Sequence, residues 1–437
     1  MRIHTHVRNG VAAMAITATL VGLTACGAGS RTNEGATEVE CDYTMPEADT
    51  TVNVLAYNSS AIDPFTDTMV ASCTRDNVTL LHDPIDFSGQ VTKTTATLAG
   101  DTGTYDIIET YGFAVPEIAS AGSIEPLDDF VTEYSEKYDL DALDEGMRSA
   151  LSYDGQLYAL PMQAQMYIMA YREDVFEDLG LEAPTSFEDM IDAAEVIREQ
   201  GDIEYPIAMP WSATADISTN YQAAMNSEGA DFISEDGEAQ FTTEESRTAL
   251  EGMKSLLPYM DPQVTTFDQP SVQQQMFNGS AAMAVMFSGR MNDLTLETNS
   301  ALFEDFAFAA PPKVGAESPY LFSRLSVDGW AIPANTQLDK DMLFQMMASA
   351  VGEDASTAAV PAAYPAREGI VTDDSSRYAV AANNTIAETM PAPNHPASAA
   401  VTNAIRPVLV QVLLGQTDVD AGMQQMQDLA DAAIDGL

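Results

Sequence analysis

Between Thr51 and Ile108 the sequence alternates between two kinds of segment with a regularity that only a parallel α/β layer accommodates. Thr51 to Ala56 reads as an apolar strand, Ile62 to about Thr74 as a helix, Val78 to Leu81 as a strand, Gln90 to Leu98 as a helix and Tyr105 to Ile108 as a third strand. Strand, helix, strand, helix, strand in so short a span implies parallel pairing through right-handed crossovers. Further along, Pro184-Thr185-Ser186 followed by Phe187, Glu188 and Asp189 predicts a capped helix running to Gln200 and stopped by Gly201. Its apolar stripe of Phe187, Met190, Ile191, Ala194 and Ile197 is expected to cover a sheet. Ala281 to Phe287, bounded by Gly279 and Gly289, and Gly329 to Ile332, closed by Pro333, read as buried strands. No fixed-period repeat interrupts the chain, which excludes a solenoid.

The start of the chain sets where the body works. Arg2 and Arg8 precede an apolar run from Val11 to Leu23, which is too short for a good membrane span and reads as a secretory leader. The run ends in Leu23-Thr24-Ala25-Cys26, the pattern after which a bacterial lipoprotein signal peptidase cuts, so Cys26 is expected to carry lipid and residues 1–25 to be lost. Residues 26–47 are small, polar and acidic, and are expected to form a flexible tether. Of the 3 cysteines, only Cys41 and Cys73 then remain, and in an oxidising compartment they suggest one disulfide, with two unpaired thiols as the alternative. The 67 acids against 18 basic residues give a formal charge of −49, and loss of the leader removes two arginines and no acid. Such a balance argues against nucleic acid and anionic membrane surfaces as partners, both of which would be repelled. Contact with the membrane is expected through the Cys26 lipid only, and the 437-residue chain is long enough for two lobes.

Catalysis should leave a constellation, and the usual ones are missing. There is no G-x-S-x-G elbow, phosphate loop, H-E-x-x-H or G-x-G-x-x-G after a strand. Beyond the leader the histidines are His82 and His395, too few for a histidine zinc site or a dense proton-transfer network. The acidic stretch from Asp139 to Gly146 resembles a calcium loop but lacks the fifth-position ligand and sixth-position glycine, and reads as an ordinary loop. Neither enzyme activity, nor a cofactor, nor a metal is expected.

Several segments in order then carry a resemblance. They are Asp106-Ile107-Ile108, Ala119 to Asp129 with its Pro126-Leu127-Asp128-Asp129 turn, Tyr153 to Pro161, Tyr171 to Phe176, the capped helix, Gly279 to Met283, Trp330 to Asn335 and Leu414 to Thr417. Together they resemble the family 1 extracellular solute-binding proteins, carbohydrate receptors of ABC importers that include the maltose-binding protein. The resemblance implies an α/β periplasmic-binding-protein type II fold: two lobes joined by a multi-strand hinge, with the ligand cleft between them. Lobe 1 would hold residues 48–162 and 331–368 and lobe 2 residues 163–330 and 369–437, with crossings near Pro161 to Gln165 and Asp328 to Ile332. It further implies a monomer that captures a small solute, most readily a sugar or polyol, and delivers it to membrane permease subunits on the outer face of the cell membrane.

A sugar needs planar hydrogen-bonding groups around its rim and an aromatic platform for its C–H faces. At the positions where relatives carry such groups this chain has Tyr57 and Asn58 after the first strand, Tyr111 and Phe113 after the third, and Gln165 at the first crossing. Trp211, then Phe287, Ser288 and Arg290, then Asp328 and Trp330 follow, with Tyr364, Arg367 and His395 later in the chain. Each aromatic has core packing as its alternative, and Arg290 either grips an anion or pairs with an acid. Many oligosaccharide binders have a tryptophan where this chain has Phe287-Ser288-Gly289-Arg290. That argues against long glucans and leaves a mono- or disaccharide, a polyol or an acidic sugar open. A receptor for polyamines, peptides or metal chelates, and a surface glycosidase or adhesin, stay as competing readings.

Overall fold

The computed structural model describes residues 36–390 and 395–436. The leader, Cys26 with its expected lipid, and the first part of the tether lie outside the described residues.

Valines, leucines and isoleucines at alternate or paired positions build the first sheet. β1 (Thr50–Leu55) lies between β2 (Val78–His82) and β3 (Ile107–Tyr111), parallel to both, with α1 (Asp63–Cys73) and α2 (Phe87–Leu98) as the crossovers. In β1 and β2 the buried Val52, Val54, Val78 and Leu80 alternate with exposed or half-buried neighbours, whereas all five residues of β3 are buried, so of these three strands β3 alone is covered on both faces. α2 begins at Phe87, three residues before the point expected from the sequence. A hairpin of β4 (Ser152–Tyr153) and β5 (Gln156–Leu157) follows. Its turn, Asp154-Gly155, has φ of 49° and 77°, the left-handed pair for which Asp-Gly is suited.

The chain then passes from one sheet to another with a single residue between. β6 (Leu160–Gln165) belongs to the first sheet, and β7 (Tyr167–Arg172) to the second, so Met166 is the link. β8 (Ile207–Ala208), β9 (Met283–Phe287) and β10 (Phe306–Ala309) complete the second sheet in the order β10-β7-β9-β8. The chain returns through β11 (Ser326–Ala331), which runs antiparallel between β3 and β6 and closes the first sheet as β2-β1-β3-β11-β6. A third passage leads from the helix Glu353–Ala359, packed on α1, to the helix Ala379–Glu388, packed on β7 and β10. Two sheets linked by three passages are the mechanical basis of a hinge.

The helix Phe187–Gln200 is capped by Ser186 and Asp189 in a reciprocal box. Phe187, Met190, Ala194 and Ile197 are buried, and the helix packs on the helices Glu173–Leu179 and Glu244–Leu256. The same four side chains belong to one apolar core with Met169 of β7, Ile207 of β8 and Met283 and Val285 of β9.

The later part of the expected flexible tether is docked. Cys41 is disulfide-bonded to Cys73 at the end of α1. Tyr43 is buried, donates from its hydroxyl to the Cys73 carbonyl at 2.7 Å, and lies under the Arg75 guanidinium. Asn77 donates to the carbonyls of Pro46 and Ala48 at 2.9 and 2.8 Å. Composition had suggested that this stretch had nothing to bury; the disulfide and one tyrosine are enough to fix it against the body.

Candidate ligand cleft

In a parallel α/β sheet the carboxyl ends of the strands, with the loops that leave them, form the floor of a crevice. Three such loops meet here. Asn58 N–H donates to the Ile85 carbonyl at 2.8 Å, which ties the loop after β1 to the loop after β2. Tyr57 N–H donates to Glu109 Oε2 at 3.0 Å, which ties it to β3. Tyr57, Phe87, Tyr111 and Phe113 consequently form one aromatic arc. Phe87 stands 5.6 Å from Tyr57 at 86° and 5.4 Å from Tyr111, and Tyr111 lies 5.3 Å from Phe113 with the planes at 2°.

Two carboxyl groups lie beneath the arc. Asp328 is opposite Tyr111 and Trp330 is opposite Glu109 in the β3–β11 register, so strand alternation turns Glu109, Tyr111, Asp328 and Trp330 to one face. Asp328 Oδ2 accepts from Gln163 Nε2 and Gln165 Nε2, both at 2.9 Å, and Gln165 also reaches the Tyr57 hydroxyl at 3.3 Å. Burial pushes Asp328 up to about 7 against the pull of the two glutamine amides. Burial, then the charge of Asp328, holds Glu109 well above the usual carboxylate range. Glu109 Oε1, Gln163 Oε1 and Asn58 Oδ1 are buried without a hydrogen-bond partner among the described residues. Such acceptors in the interior are costly unless something else satisfies them.

The turn after β9 forms the facing wall. Ser288 N–H donates to the Met166 carbonyl at 2.8 Å, anchoring the turn to the link between the sheets, and Phe287 packs 4.6 Å from Tyr167. A Cβ on Gly289 would sit 2.8 Å from Gln165 Oε1 and 2.9 Å from the Ala61 Cβ, so only glycine lets the two sides approach. Ser60 Oγ donates to the Gly289 carbonyl at 2.9 Å across the same gap. Arg290, next in the chain, makes no ion pair among the described residues, in contrast to Arg172, Arg247 and Arg367, which are held by Asp174, Asp420 and Asp139. Its charge is felt by the Tyr57 hydroxyl on one side and by Asp216 on the other. Burial lifts Asp216 to about 6, opposed by the Ser212 hydroxyl at 2.8 Å. Arg324 is likewise without an ion pair; burial lowers its pKa, its Nε has no partner, and its guanidinium lies 5.8 Å from the centre of the Phe113 ring.

Of the residues selected from sequence, Tyr57, Tyr111, Phe113, Gln165 and Asp328 come together on one wall, and Phe287, Ser288 and Arg290 on the other. Asn58 stands beside them, its amide donating to Asp63 at 3.1 Å. Tyr364 is at the crossing: its carbonyl accepts from Ala164 N–H at 2.9 Å and its hydroxyl donates to Asn383 at 2.8 Å. Four others have different surroundings. Trp211 is fully buried in the second core, with its indole N–H on Asn220 at 3.2 Å, and Trp330 is fully buried in the first. Arg367 binds the carbonyls of Val351, Asp139 and Tyr138. His395 accepts from Ala397 N–H at 3.0 Å within its own loop. Sequence reasoning missed Phe87, Glu109, Gln163, Asp216 and Arg324. Only Glu109 left a signal, an acid inside the buried strand Ile107–Tyr111.

Among the described residues no helix is long and apolar enough to cross a membrane, and no His, Cys, Asp and Glu group is arranged to hold a metal ion. Two α/β lobes, a multi-strand hinge and a cleft between them define the periplasmic-binding-protein type II fold. It is shared with an ABC-transporter solute-binding protein from Agrobacterium radiobacter K84 solved with ribitol: TM-score 0.77, 20% identity, covering 89% of this chain and 100% of that one. An ABC-transporter solute-binding protein from Agrobacterium vitis S4 with bound D-mannitol gives TM-score 0.73 and 20% identity over 88% and 98% of the two chains. Residues 83–348 match the profile of the bacterial extracellular solute-binding proteins, and the chain belongs to that family. In sequence it is 25% identical over 225 residues to the mannitol-binding protein of Pseudomonas aeruginosa, 51% of each chain. The chain spans about half the length of the curated relatives it matches.

Proposed function

We propose that the chain is the receptor of an ABC importer for a small, neutral, polyhydroxylated solute, a sugar or a polyol. It is held at the outer face of the cell membrane by lipid on Cys26 and passes its cargo unchanged to permease subunits. Residues 48–162 with 331–368 and residues 163–330 with 369–437 are the two lobes that close on the cargo. The observation that carries this reading is the contrast between the walls. One offers carboxyl and amide oxygens from Glu109, Asp328 and Gln163, and the other offers guanidinium donors from Arg290 and Arg324, with the Asp216 carboxyl beside Arg290. A hydroxyl group both donates and accepts, so a run of hydroxyls satisfies both walls at once. Burial discourages the carboxyl pair from ionising, which lessens any demand for a cationic guest such as a polyamine. The ribitol and D-mannitol carried by proteins of the same fold support the same solute class.

Asp328 on one wall and Arg290 on the other also suit a zwitterion, with ammonium toward Asp328 and carboxylate toward Arg290, and this is the second reading. A thermal-shift screen against polyols, sugars, amino acids and polyamines separates the two. The proposal expects stabilisation by a polyol or sugar that is recovered chemically intact. Stabilisation by amino acids alone favours the zwitterion, and steady cleavage of a glycoside removes the receptor reading.

A further inference from the structure

The first turn of α2 presents an aromatic ring to solvent where a helix start ordinarily presents small polar groups. Asp86 already caps the helix, its carboxylate accepting from Gly89 N–H at 2.7 Å, so Phe87 is not needed there for helix formation. The ring is 40% exposed, although it belongs to the arc whose inner members are half-buried Tyr57 and buried Tyr111. Gln90, one turn on, locks the arrangement: its amide donates to the Glu109 carbonyl at 2.8 Å and its carbonyl accepts from the Tyr111 hydroxyl at 3.1 Å. The ring is thereby held on a rigid base with one side uncovered, against Tyr57 and Tyr111, the two tyrosines that stand over the Glu109 and Asp328 carboxyls. Neither of the buried tryptophans, Trp211 and Trp330, offers such a surface.

We infer that Phe87 is a ligand-contacting residue whose exposed ring is the apolar platform of the cleft, and that the ligand is a ring sugar. This rests on the proposed receptor function and narrows it. A sugar ring gathers its axial hydrogens into a patch that matches an aromatic face, while its hydroxyls project around the edge toward Glu109, Asp328 and Arg290. An open-chain polyol turns hydroxyls to every side and offers no patch of that size. Phe87 therefore selects for shape, and the carboxyl and guanidinium walls select for hydroxyls.

The test is calorimetric titration of the mature chain with maltose, D-glucose, D-galactose, D-mannitol and ribitol, using wild type, Phe87→Ala, Phe87→Leu and Val91→Ala. Val91 is 41% exposed one turn along the same helix face and serves as the control for a general loss of surface apolarity. Wild type is expected to bind a ring sugar; Phe87→Ala weakens it at least about tenfold, Phe87→Leu restores part of the loss, and Val91→Ala matches wild type. Melting without ligand is expected to be the same for all four, because an exposed ring contributes little to the core. A ring sugar bound equally well by Phe87→Ala overturns the platform, and wild type that takes only the open-chain polyols overturns the ligand class; both leave the receptor function standing. Wild type that binds none of the five overturns the inference together with the function on which it rests.

Discussion

Asp328 and Glu109 hold carboxyl groups where water does not reach, and that has a measurable consequence for stability. Both pKa values are raised in the folded chain, Asp328 to about 7, by burial first. An unfolded aspartate titrates at about 4. Below that pH the group is protonated in both states and no penalty arises. As the pH climbs toward 7 the unfolded chain gives up its proton while the folded chain keeps it, so stability falls through this window and levels above it. The groups facing Asp328 are Glu109, the hydroxyls of Tyr57 and Tyr111 and the amides of Gln163 and Gln165, and none supplies a compensating positive charge. Replacing Asp328 by Asn removes the titration and relieves Glu109 in part. The melting temperature of wild type is therefore expected to drop relative to Asp328→Asn between about pH 4 and pH 7; a constant offset across that range contradicts the assignment. At this scale the sequence was half legible. Tyr57 and Tyr111 were selected because they follow the first and third strands, and Gln165 and Asp328 because the family resemblance puts them at the crossings; the structure brings the four together. Trp211 and Trp330 are fully buried, since a tryptophan near a strand end fills a core as readily as a cleft. Phe87 was missed because α2 was started at Gln90, and Arg324 because it sits in no regular element.

At the scale of the element, the hinge is the most constrained part of the molecule. β11 passes so close to its neighbours that a Cβ on Gly329 would lie 2.5 Å from Leu151 Cδ1 and 2.7 Å from the Leu160 carbonyl oxygen. The second of these is backbone of β6 and cannot turn aside. The pairing of the two strands also shifts register between Asp328 and Gly329, which places both Asp328 and Gly329 against β6 at its irregular point. Gly329→Ala is expected to lose about 1–3 kcal/mol in urea denaturation, and a change near zero means that the crossing is looser than drawn. Local signals made the early strands and the capped helix legible, since each is bounded by its own stop and start residues. The crossing was not legible from periodicity. From Leu157 to Ala170 the chain is almost continuously apolar, and one residue, Met166, separates two strands of different sheets. Only the family resemblance located it.

For the whole molecule, the central claim is that two lobes approach each other over a guest. The walls of the cleft come from separate sheets, and they meet at Ser60 and Gly289 beside the link. The acidic balance of −49 keeps such a body soluble. Docking of residues 39–48 through the Cys41–Cys73 disulfide fixes the exit of the proposed tether at the far end of α1 from Asp63 and the cleft. The most direct measurement is small-angle scattering from the mature chain, alone and saturated with whichever sugar or polyol gives heat on titration. The radius of gyration is expected to fall when that solute is added. Superimposable profiles at saturation contradict closure and, with it, the account of how this chain works.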